Sequence, residues 1–91
     1  MNVTPQSVPK LRRGVRRHFD AARNAPVLMA PERVVMLDAI ADAIVMHCDG
    51  ETNVAQIATA LAARYAAPET EISADVIGFL EELVESSLVS V

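Results

Sequence analysis

The hydrophobic period of this chain changes once, at Asp38, and that change limits the folds open to it. Before it, apolar residues come in two short runs, 27–30 and 33–37, bounded by Pro26 and Pro31. A proline pushes the residue before it into extended backbone, so these runs predict short antiparallel strands joined as a hairpin. Residues 15–20 alternate and predict a preceding strand, with Ala21 to Asn24 as its turn. After Asp38 the apolar spacing becomes three and four, the spacing of a helix face.

Leu37, Ile40, Ala41, Ile44 and Cys48 predict a first helix, capped by Asp38 and ended by Gly50 in left-handed backbone. Val54, Ile57, Ala58, Leu61, Ala62 and Tyr65 predict a second. Asn53 caps it, Gln56 can reach back as in a capping box, and Pro68 stops it. A third helix is expected over 73–86, after the linker 66–70, with Val76, Phe79, Leu80, Leu83 and Val84 as its stripe. The last residues, 88–91, have room for one short strand. The expected fold is α+β and winged-helix-like: three short N-terminal antiparallel strands followed by a three-helix bundle.

Ninety-one residues make one domain. Residues 1–8 hold Pro5 and polar residues without periodicity and read as a flexible tail, leaving 9–91 as the folded domain. No apolar run reaches the ~18 residues that span a bilayer, and the start lacks a secretory apolar segment. With one cysteine, Cys48, no intramolecular disulfide can form. A cytoplasmic protein without membrane contact is expected, with Cys48 as a small buried hydrophobe. Charge is divided along the chain. Residues 1–37 carry seven basic side chains (Lys10, Arg12, Arg13, Arg16, Arg17, Arg23, Arg33) against Asp20 and Glu32. Residues 38–91 carry ten acids against Arg64. Such a dipole favours oriented docking.

Catalysis finds no constellation here. Two histidines and one cysteine in separate patterns do not make a metal site, and no nucleophile motif or phosphate-cradling glycine loop occurs. The chain is read as a non-enzyme with no metal and no cofactor. Nucleic acid is the competing partner, since winged helices often bind it and the basic N-terminal half could serve a DNA-binding or regulatory protein. Yet the third helix carries Asp75, Glu81, Glu82 and Glu85 and no basic residue, so it would meet phosphates with like charge. What remains is a sheet edge, the run 33–37, ready to accept another strand beside the third helix. Gly78 inside that helix costs about 1 kcal/mol against alanine. It is read either as close helix packing or as room for an incoming backbone.

Residues 28–65, LMAPERVVMLDAIADAIVMHCDGETNVAQIATALAARY, carry a family resemblance. Ala30-Pro31-Glu32-Arg33-Val34 leading to Asp38, then Cys48-Asp49-Gly50, the capped Asn53 to Ile57 segment, and Ala74-Asp75-Val76-Ile77 occur together and in order. In this the chain resembles PqqD, the peptide chaperone family of pyrroloquinoline quinone (PQQ) biosynthesis, over roughly residues 9–90. It departs at Ala25-Pro26, where the family more often has a basic residue and a tryptophan.

The resemblance implies a recognition element that binds the precursor peptide PqqA and presents it to the radical SAM enzyme PqqE. It also implies a peptide added beside the third strand, at Arg33, Val34, Val35, Met36 and Leu37. The third helix would face it with Asp75, Ile77, Gly78, Glu81 and Val84. A proline at Val35 is expected to block that edge. A monomer is expected in dilute solution, with a strand-exchanged or edge-paired homodimer accessible at crystal concentration.

Overall fold

The computed structural model describes residues 3–91. Its elements run β1 (Lys10–Leu11), β2 (Arg16–Asp20), β3 (Ala25–Ala30), β4 (Arg33–Met36), α1 (Ala39–Met46), α2 (Val54–Tyr65), α3 (Glu69–Glu85) and β5 (Val89–Ser90). The fold is α+β, as expected. β2, β3 and β4 form one antiparallel sheet in that order. The Asp20 carboxylate accepts the N–H groups of Ala22 and Arg23 at 3.0 and 3.3 Å, which shapes the β2–β3 turn. Asn24, at φ 53°, completes it. Ala30 pairs with Arg33, so Pro31 and Glu32 alone connect β3 to β4. Proline's fixed φ suits the first position of such a turn.

A second, two-stranded sheet pairs β1 with β5, Lys10 opposite Ser90 and Leu11 opposite Val89. β1 is an addition to the three expected strands. Its partner lies at the far end of the chain, and two residues carry no periodicity of their own. Gly50 sits in a bend beside β1, next to the isolated Lys10–Asp49 bridge, rather than at a helix end. α1 stops at Met46, with His47 as its C-cap. Gly50, at φ +77°, donates to the Pro9 carbonyl at 3.0 Å. A Cβ there would stand 3.0 Å from the Lys10 side chain, so glycine lets β1 pass.

The caps are where the sequence puts them. The Asp38 carboxylate accepts the Ala41 N–H, and Asn53 and Gln56 exchange both bonds of a capping box. α2 ends at Tyr65 on Ala66, held in left-handed backbone at φ 50°, two residues before Pro68. α3 starts at Glu69, earlier than the spacing predicts. Pro68 serves as its N-cap in extended backbone, and its carbonyl accepts the N–H of Ile72 at 3.1 Å. Glu69, Thr70 and Glu71 open that turn, and Ile72, four residues before Val76, extends the buried stripe beyond the expected start.

The helices and sheet meet on one core. α2 supplies Val54, Ile57, Ala58 and Leu61, and α3 supplies Ile72, Val76, Leu80 and Leu83. Leu28 enters from the sheet and Leu37 from the link into α1. α1 buries Ala43, Ile44 and Val45, while Ile40 stays 39% exposed. Leu37 is extended and donates its N–H to Pro26 at 3.1 Å, so counting helical phase from it misplaced Ile40. Arg17 of β2 grips Asp42 of α1 through both carboxylate oxygens, which ties the sheet to the helices. That pairing, chiefly its hydrogen bonds, raises the Arg17 pKa. The part of the expected tail that is described, residues 3–8, is docked. Val3 and Pro9 are buried, and the carbonyls of Ser7 and Pro5 accept the N–H groups of Val54 and Ala55 at 2.9 and 3.0 Å. A helix start leaves such donors unpartnered, and the tail satisfies them. Residues 1 and 2 lie outside the described residues.

Leu61 is 1% exposed at the centre of this core. Leu61→Ala should cost about 2–5 kcal/mol. A thermal melt should show most of the domain's stability gone; a melting temperature near wild type would mean that α2 does not face the core as described.

Candidate functional site

The β3–β4 register decides which backbone groups are free. Val27 faces Met36, Leu28 faces Val35 and Met29 faces Val34. Leu37 donates to Pro26, one step beyond, so that position is a hydrogen-bonded one. Hydrogen-bonded and non-bonded pairs alternate in antiparallel strands. Arg33 and Val35 therefore spend their backbone groups on β3. Val34 and Met36 point theirs outward, and β4 is the edge of its sheet. Side chains alternate too. Val35 and Leu37 turn to the core, while Val34 and Met36 lie 49% and 51% exposed on the outer face. The edge expected at 33–37 thus offers two residues, Val34 and Met36. A proline at Val35 would break a bond to β3 instead of blocking the edge.

α3 forms the opposite wall. The Arg33 guanidinium donates to the Ser86 carbonyl and bridges the gap at one end. At the other end Asp75 and Phe79 of α3, with Asp38, Ile40, Ala41 and Ile44, line a depression of about 240 Å³. Asp75, Phe79, Glu82 and Ser86 fall at helical spacing on one face. That face looks toward β4.

The expected helix residues divide. Asp75 lies in the groove, and Gly78 sits exposed at its rim. Ile77 is two positions from both Asp75 and Phe79, about 200° around the helix. It shares the other flank with Ser73, Glu81 and Val84. Ser73 lines a separate depression against Ala55 and Ala58 of α2, so that flank faces away from β4. Ile77, Glu81 and Val84 are half-buried there. The structure does not bring them to β4. Phe79, Glu82, Ser86 and Ile40 take their place. The series starting from Asp75 was open to inspection, but Phe79 reads as core and the other two as solvated.

Gly78 is clearer. A Cβ at this position would meet nothing within 4 Å, which removes close helix packing as its explanation. The space in front of it is open. Cys48 is buried, and its thiol donates to the Ile44 carbonyl at 3.4 Å. Burial first, and then the Asp49 charge, push its pKa up to about 12. It is a packing residue. No group of three or more metal-ligating side chains occurs among the described residues.

Comparison with known proteins places this geometry. The family described as coenzyme PQQ synthesis protein D (PqqD) matches residues 26–89. A PqqA binding protein of Rhizobium meliloti (strain 1021) is 48% identical over 81 residues, covering 89% of this chain and 83% of that protein. Another, from Xanthomonas euvesicatoria pv. vesicatoria, is 46% identical over 86 residues, 94% of each chain. Among solved structures, the solution NMR structure of the PqqD truncation of Methylobacterium extorquens PqqCD superposes with a TM-score of 0.86 at 39% identity. It covers 98% of this chain and 95% of that one, and represents a functional, stand-alone RiPP recognition element. The crystal structure of PqqD from Xanthomonas campestris matches at 44% identity with a TM-score of 0.63, covering 98% and 99%.

Two outcomes follow from the site as built. Gly78→Ala should stabilise the fold by about 0.5–1 kcal/mol, because it gains helix propensity without a clash. A melting temperature lower than wild type would contradict the open space. Cys48 should resist iodoacetamide at pH 8 in the native protein and react once guanidinium unfolds it. Stoichiometric labelling of the folded chain would refute its burial.

Proposed function

This chain belongs to the PqqD family, and on that premise we propose that it binds the precursor peptide PqqA as a strand added to β4 and presents it to the radical SAM enzyme PqqE. The observation that supports this most is the outward pair Val34 and Met36, facing a groove whose far wall is α3. An added strand would find two N–H and two C=O groups on those residues. Each backbone bond contributes roughly 0.5–1.5 kcal/mol net. One apolar side chain in the Ile40–Phe79 depression would contribute roughly 1.5–3 kcal/mol more. Association and ordering costs then bring the sum down to reversible binding. That suits a carrier, which has to release its cargo to the enzyme and contributes no catalytic group itself.

Presentation needs a surface that stays accessible when the groove is full. The outer face of the sheet meets that need. Val34 and Met36 expose their side chains there, and Arg16 and His18 extend the face across β2. Strand addition uses the edge and leaves this face open to PqqE.

Val34→Pro removes one outward donor on an edge strand, where proline is tolerated. It should weaken PqqA binding at least tenfold, about 1.4 kcal/mol, while circular dichroism stays native. Val35→Pro should instead lower the melting temperature, since it breaks a β3 bond. Gly78→Leu, which fills the rim of the groove, should weaken binding with the fold intact. Isothermal titration with PqqA checks all three; wild-type affinity in a folded Val34→Pro variant would sink the strand-addition reading.

A further inference from the structure

Beyond the Arg33–Ser86 bridge, the groove opens into a second depression of about 540 Å³, built from three distant parts of the chain. Arg12 and Arg13 come from the β1–β2 link, Arg33 from the start of β4, and Ser87 from the turn after α3. Glu32 is its acidic lining residue. Among the described residues, Arg17–Asp42 and Arg23–Asp20 are the salt bridges, so none of these three arginines has a carboxylate partner. Like charges gathered on a concave wall focus a positive potential and raise the local concentration of anions. Arg33 already spends one donor on Ser86, and guanidinium groups keep further donors that match a carboxylate's two oxygens.

We infer that this notch takes a carboxylate of the bound peptide and thereby fixes where the peptide strand sits along β4. The inference rests on the strand-addition reading and adds the chemistry that sets its register. The groove has an apolar depression at its Asp38 end and the basic notch at its Arg33 end. β4 spans four residues between them, about 13 Å at 3.3 Å per residue. Every strand pair in this sheet is antiparallel. An antiparallel addition runs its C-terminal end toward Arg33. Side chains at i and i+4 of a strand point to the same face. The recognised segment is therefore an apolar anchor followed about four residues later by a carboxylate. The α3 wall, with Asp75, repels an acid placed at the Asp38 end, so charge also selects the direction.

The test titrates PqqA into the full chain and into Arg12→Gln/Arg13→Gln, at 50 and 500 mM NaCl. These side chains are exposed, so the variant should melt as wild type does. The expected loss is about tenfold at low salt and smaller at high salt, where exposed charges are screened. PqqA peptides with each Asp or Glu singly amidated, and one with a C-terminal amide, locate the carboxylate. One of them should bind wild type about tenfold more weakly and bind the arginine variant with no further loss, as a coupled pair requires. A side-chain amide or the C-terminal amide showing this identifies the source. Wild-type affinity of the arginine variant at 50 mM salt, or peptide and protein losses that simply multiply, overturns the inference. The amidated peptides against wild type alone decide the matter should the variant misfold: if all bind equally, the notch holds no carboxylate. Val34→Pro is the separate control. Its failure to weaken PqqA would remove strand addition itself, whereas a weakened Val34→Pro beside an unaffected arginine variant removes only the notch.

Discussion

The connection Pro31-Glu32 holds β3 and β4 in one register, and the groove exists because of it. With only two residues in the turn, Ala30 must oppose Arg33, and the pairing follows outward to Val27 and Met36. Slipping that pairing by one residue would invert every side chain on β4. Val35 would leave the core, and Val34 and Met36 would turn their backbone groups to β3. Pro26 reinforces the register from the other side. It has no N–H to give, and it sits where its carbonyl alone receives Leu37. The chain then passes from Leu37 to the Asp38 cap, so α1 begins at a fixed distance from the sheet edge.

The local part of this arrangement can be read from residues a few positions apart. Asp38, Asn53 and Gln56 act on their own helix starts, and the prolines act on their immediate neighbours, so sequence places them correctly. The β1–β5 sheet joins residues at opposite ends of the chain, Lys10 with Ser90 and Leu11 with Val89, and no local pattern announces it. Gly50 shows the cost of reading locally. Its left-handed backbone fits a helix end, but its neighbour in space is Lys10. The strand side of the groove was legible to within the parity of its hydrogen bonds. The helix side was not. Which flank of α3 faces β4 depends on where α2 packs, and Ile77 and Phe79 are both apolar, half-buried and two residues apart. Apolar character could not distinguish them.

The division of charge along the sequence becomes a division of space. The basic N-terminal third builds the sheet and its notch, while the acids line the helices. The groove runs where the two meet, with Arg33 at one end and Asp38 and Asp75 at the other. A peptide lying in it crosses a field that changes sign along its length. Apolar contact supplies an anchor, and the field supplies direction. Neither the sheet nor the helices alone contain both.

An open edge strand invites the wrong partner, including a second copy of the same chain. Here the edge is short, four residues with two outward-facing, and α3 stands opposite it. A slender extended peptide reaches it. A second copy offering its own β4 would have to bring its α3 alongside, one helix wall against the other. The wall of α3 limits approach before the edges meet. A Cβ at Gly78 would meet nothing within 4 Å, so that stretch of the helix carries no side chain of its own. On the strand-addition proposal, the same wall that leaves room for an extended peptide therefore works against pairing between copies.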